Sequence, residues 1–117
     1  MITAEQLKDV MERADALNRY LDIDKKQMEY EEEDLRTQAP DFWDDPKRAE
    51  EQMKKVKALK SWIDGYKEVR TCADELQLAF DFHKDDMVTE EEVDADYDRA
   101  IKAIEALELK NMLRQKE

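Results

Sequence analysis

The sequence predicts an all-α fold: an antiparallel three-helix bundle of coiled-coil character, with long helices about 3–38, 46–84 and 90–114. Three observations predict it. Apolar residues recur at three- and four-residue steps over most of the chain, and no stretch alternates with period two. Both prolines, Pro40 and Pro46, fall within one short stretch between long helix-favouring runs. Two helix-start signatures stand at Thr3 and Thr89.

The first helix opens on Thr3 and Gln6, a capping box, with Ile2 and Leu7 at the hydrophobic-staple positions. Leu7, Ala14, Leu21, Met28 and Leu35 then recur every seven residues, with Val10 and Leu17 between them. Asp24 and Glu31 take the next intermediate positions, so the seam thins in the second half. The acidic run Glu29 to Asp34 reads as a solvated helix face.

Pro40 stops this helix, because the residue before a proline is pushed out of the helical region. Asp45 as N-cap and Pro46 as first helical residue restart it. Phe42 and Trp43 lie on the link, where they are expected to plug the end of the helix pair. The second helix carries Ala49, Met53, Val56, Leu59, Ile63, Tyr66, Val69, Ala73, Leu76 and Phe80 on one face. Gly65, the one glycine of the chain, interrupts that stripe without a proline and reads as a tolerated or slightly bent position. The pattern fades at Phe82-His83-Lys84-Asp85-Asp86, a turn. The third helix starts on the Thr89–Glu92 capping box with a Val88–Val93 staple. Its face is Val93, Tyr97, Ala100, Ile101, Ile104 and Leu107, running on toward Met112 and Leu113.

Composition narrows function more than it defines it. Length suits a single helical domain spanning 1–117. Charged residues make up 44% and the hydrophobic set 41%, proportions that long helices with a narrow buried seam reconcile. One glycine excludes Gly-rich phosphate loops, dinucleotide fingerprints and nucleophile elbows, since each needs at least two. A net charge of −12 opposes direct nucleic-acid binding by this domain and disfavours an anionic membrane surface. The single cysteine, Cys72, forms no internal disulfide and sits among apolar residues as a structural thiol. Neither a signal-peptide core nor an apolar run of membrane length is present, so the expected location is cytoplasmic.

Metal and catalytic chemistry find little support. Asp94, Asp96, Asp98, Ile101 and Glu105 match the spacing of a calcium loop, but Arg99 stands where the loop needs glycine. On a helix Asp94 and Asp98 share a face while Asp96 points away. His83, the only histidine, has no cysteine or second histidine to share a metal. No cofactor is expected, and carboxylates without a cleft do not make an enzyme. Residues alone reach an acidic helical interaction module.

Likeness adds more. The run Arg13 to Lys26 resembles the opening helix of bacterial peptide chain release factors of the factor-two type. Pro40-Asp41-Phe42-Trp43-Asp44-Asp45-Pro46-Lys47-Arg48-Ala49 is similar to that family's Pro-Asp-x-Trp-x-x-Pro-x-Arg-Ala segment. Leu107 to Leu113 resembles the stretch leading out of the family's first domain, and Arg19-Tyr20-Leu21-Asp22 favours factor two over factor one. The resemblance implies translation termination at UGA and UAA codons, with the ribosome as partner through the full-length factor. A contact with a protein at the stalk base of the large subunit follows from the same likeness. The codon-reading Ser-Pro-Phe does not occur in these residues, and Gly-Gly-Gln cannot occur with one glycine. The stretch therefore resembles the N-terminal helical domain only, a non-catalytic part, and no catalytic residue is carried over. An up-down-up order places the Asp81–Thr89 turn far from the following domains. Phe82, His83 and Met87 are thus expected at a partner contact, and Phe42 and Trp43 at interdomain or hinge packing. A free-standing acidic coiled-coil adaptor or chaperone-like protein is the alternative.

Overall fold

The computed structural model describes residues 1–116. Four α-helices and one short 3-10 turn make up the described chain, with no strand among the described residues. They are α1 (Ala4–Leu21), α2 (Ile23–Arg36), the turn Phe42–Asp44, α3 (Pro46–Lys84) and α4 (Glu90–Gln115). The start signals act as the sequence predicts. Thr3 and Gln6 exchange their two capping hydrogen bonds at 3.1 and 2.8 Å. Thr89 and Glu92 do the same at 3.1 and 3.0 Å. The Asp45 carboxylate accepts from the Arg48 amide at 3.3 Å, one turn into α3.

The first helix departs from the expected 3–38 span. It is two helices, broken at Asp22, which adopts a left-handed conformation (φ 48°, ψ 60°). Leu21 and Ile23 are both buried. Two residues apart on a continuous helix they would point about 200° apart, so only a break lets both face inward. The Asp22 carbonyl accepts the first bond of α2 from Lys26 at 3.1 Å, and the Lys26 ammonium bonds the Leu21 carbonyl. Resetting the phase changes which face of α2 is covered. Ile23 and Glu33 are buried and Lys26 and Tyr30 half-buried, whereas Met28 and Leu35 are 63% and 66% exposed. The heptad seam expected to run on through Met28 and Leu35 ends at Leu21.

The chain divides into two compact units. One is Leu21–Asp64. Within it Lys26 stands 6.0 Å from the centre of the Trp62 ring, and Gln52 donates to the Glu33 carboxylate at 2.7 Å. These pairs run in opposite senses along α2 and α3, so 23–36 and 46–64 form an antiparallel hairpin. Its buried apolar residues are few: Leu21, Ile23, Ala49 and Val56. Glu33 is buried among them and also forms an ion pair with Lys55 at 3.3 Å. The acidic run is therefore not wholly a solvated face, because one of its members is an internal anchor.

The other unit joins Met1–Tyr20 to the chain from Gly65 onward. Its core is fuller: Val10, Ala14 and Leu17 of α1, Val69, Ala73 and Leu76 of α3, and Val93, Ala100 and Ile104 of α4 are all buried. Ile2 donates to Asp94 at 2.9 Å and Arg13 to Glu108 at 2.7 Å, so α1 and α4 run in the same sense. Asp15 receives Arg70 of α3 at 2.9 Å. Met112 and Leu113 are exposed, so the apolar face of α4 ends at Leu107 rather than running on to them. α3 runs unbroken through Gly65, as expected, and a Cβ there would stand 3.1 Å from Leu107 Cδ1, so the glycine also leaves room for that side chain.

Candidate partner-contact surfaces

Two places carry the residues singled out by sequence. The first is the hinge of the Leu21–Asp64 unit. Thr37 closes α2, its hydroxyl donating to the Asp34 carbonyl at 2.6 Å. The chain then turns through Phe42–Asp44, with Phe42 N–H bonding the Ala39 carbonyl and Asp44 N–H the Asp41 carbonyl, both at 3.0 Å. The Phe42 and Trp43 rings meet edge to face, 5.1 Å apart at 82°. Phe42 is half-buried but Trp43 is 62% exposed. Trp43 does not plug the helix pair as expected; it stands out in solvent. Beside it opens a basin of about 670 Å³ whose lining includes Arg36, Phe42, Asp44, Arg48 and Lys55. Its charges are of both signs.

The second place is the turn between α3 and α4. Met87 N–H bonds the Phe82 carbonyl at 3.1 Å and Asp86 N–H the His83 carbonyl at 3.0 Å. This pairing, with Asp86 left-handed at φ 57°, is a Schellman motif in which aspartate occupies the usual glycine position. The motif places Met87 just beyond Phe82 and His83, which lie in the last turn of α3. His83 is half-buried, and its Nδ1 lies 2.8 Å from the Val88 carbonyl, which makes Nδ1 the protonated donor. Its imidazole thereby ties the end of α3 to the start of α4. Met87 is 70% exposed and Phe82 39%.

Beside Phe82 lies a groove of about 450 Å³ that the sequence reading missed. Leu78, Ala79 and Phe82 of α3 and Val88 and Ala95 line its apolar part, with Glu75, Glu92, Asp96 and Arg99 around them. Leu78 was the available signal: it falls off the buried stripe, four residues before Phe82, and so belongs to a second apolar line on α3.

Burial pushes the Cys72 thiol up to about 11, helped by its hydrogen bond to Glu68 at 3.4 Å. The calcium-like spacing lies on α4, where Asp94 pairs with the Met1 amine at 3.3 Å and Asp96 with Arg99. Those carboxylates do not converge. Among the described residues no group of three or more His, Cys, Asp or Glu is placed to hold a metal ion. No helix among them is long and apolar enough to cross a membrane.

Residues 25–117 match the family model described as the PCRF domain, well over half of the chain. The chain belongs to the PCRF domain family. That domain is the helical, non-catalytic part of release factors, and membership implies a release-factor-like role in translation termination. The match takes in both surfaces described above, together with α3, α4 and α2 from Lys25 onward. It begins after Asp22, so the Arg19-Tyr20-Leu21-Asp22 element stands outside it.

Proposed function

We propose that this PCRF chain is the N-terminal helical domain, 1–117, of a release factor of the factor-two type acting at UGA and UAA codons. In this reading it is a single domain, an antiparallel three-helix bundle of coiled-coil character. It works in the cytoplasm as a non-catalytic contact module between the factor and the ribosome. The match over residues 25–117 carries the reading. The factor-two assignment is supported by Arg19-Tyr20-Leu21-Asp22, whose last residue is the left-handed break between α1 and α2. The family match supports this reading over the alternative of a free-standing acidic adaptor.

Phe82, His83 and Met87 are proposed to meet a protein at the stalk base of the large subunit. The exposure of Phe82 and Met87, and the acidic residues around them, favour a protein over ribosomal RNA. Phe42 and Trp43 are proposed to pack against another domain of the factor. An exposed tryptophan set against an edge-to-face partner suits such packing. The test is photocrosslinking in the full-length factor on ribosomes, with the label at Met87 or at Trp43. Met87 should label a ribosomal protein and Trp43 the factor itself. Ribosomal labelling from Trp43 alone would sink the assignment.

A further inference from the structure

The groove between the end of α3 and the start of α4 joins an apolar floor to a strongly acidic surround. Leu78, 52% exposed, and Phe82 stand four residues apart on α3, with Val88 and Ala95 opposite them. That spacing is one helical turn, which suits apolar anchors at i, i+3 or i+4, and i+7 of another helix. Between residues 81 and 92 the chain carries Asp81, Asp85, Asp86, Glu90, Glu91 and Glu92 against Lys84 alone. Arg99, the cation on the groove, is paired with Asp96. A surround of net negative charge around an apolar floor selects a ligand of opposite sign with apolar anchors.

We propose that this groove is the docking site for a basic amphipathic helix of a protein partner. A second copy of this chain would bring the same excess of acids to the contact, and nucleic acids and anionic lipid surfaces are repelled by it. The proposal deepens the partner-contact reading of the Phe82–Met87 turn and rests on it.

The probe is a fluorescein-labelled Leu/Lys amphipathic helix of about 18 residues, long enough to bear a complete apolar stripe. Its counterpart carries glutamate in place of every lysine. Anisotropy titration of the chain should give saturable binding of the Leu/Lys peptide and none of the Leu/Glu peptide. Combining Leu78→Ser with Phe82→Ala should weaken binding about tenfold or more. Leu35→Ser, which removes a leucine at least as exposed on α2, should change it less than about twofold. Leu78→Arg, a single exposed substitution, gives the same loss by repulsion if the double variant unfolds. Absence of binding overturns the proposal. So does equal binding by wild type and both groove variants, which reduces the attraction to unspecific charge. Failure here with Met87 crosslinks retained would remove the groove and leave the contact reading. Groove binding with no ribosomal crosslink from Met87 would do the reverse.

Discussion

Leu107 Cδ1 lies where it would stand 3.1 Å from a Cβ at residue 65, so Gly65 lets α3 and α4 approach over a buried leucine. An exposed mid-helix glycine replaced by alanine should gain about 1 kcal/mol of helix propensity. Here Leu107 must shift by a few tenths of an ångström in a packed core, which offsets the gain. Gly65→Ala should therefore change stability by less than about 0.5 kcal/mol, and Gly65→Val should cost about 1–3 kcal/mol by overpacking. Urea denaturation measures both. A full propensity gain for alanine would mean the approach is not the reason for glycine.

The left-handed Asp22 makes a second claim that heptad counting opposes. Met28 and Leu35 are exposed, so Met28→Lys and Leu35→Lys should each move stability by no more than about 0.5 kcal/mol. Leu21→Ala, at a fully buried site, should cost about 2–5 kcal/mol. Comparable losses at all three positions would restore the continuous seam.

Glu33 gives the hairpin a pH dependence. The Gln52 hydrogen bond, with Lys55 and Arg36 nearby, holds its carboxyl below the ordinary carboxylate range against the opposing effect of desolvation. A carboxylate depressed in the folded state adds stability above its unfolded value of about 4.3, and loses it as pH falls through the folded value. Unfolding midpoints followed from about pH 7 to about pH 3 should fall more steeply for wild type than for Glu33→Gln. Parallel curves would show that Glu33 is not a linked proton site.

These cases show why some features were legible and others not. Capping boxes, the Asp45–Pro46 restart and the 46–84 helix are set by contiguous residues, so a linear pattern reveals them. The break at Asp22 was legible in principle from Leu21 and Ile23, two apolar residues that one helix face cannot hold. A seven-residue count passes over that spacing. Glu33 and Gly65 acquire their roles from Gln52, Lys55 and Leu107, which a periodicity scan does not connect to them. The turn holding Phe82, His83 and Met87 was legible as a turn, while its groove needed the α4 residues that complete it.

Cys72 is the residue most easily misread as reactive. Its thiol is raised to about 11 by burial first and by Glu68 second, so only a minute fraction is thiolate near neutrality. Reaction with an aromatic disulfide reagent should proceed only through opening of the unit, at a rate that rises with urea. Immediate labelling in native buffer would show that the site is open.

Asp86 occupies a position whose left-handed conformation is easier for glycine. A non-glycine residue there costs about 1–2 kcal/mol, less for aspartate than for bulkier side chains. Glycine recovers part of this and loses some through a freer unfolded chain. Asp86→Gly should therefore stabilise the protein by about 0.5–1 kcal/mol in urea denaturation. It also removes one acid from the turn between α3 and α4, so the same variant should bind the Leu/Lys helix slightly more weakly, by less than about threefold. Stability gained while affinity falls would separate the turn's role in folding from its charge. A loss of stability would mean that the Asp86 side chain contributes more to the turn than its backbone conformation costs.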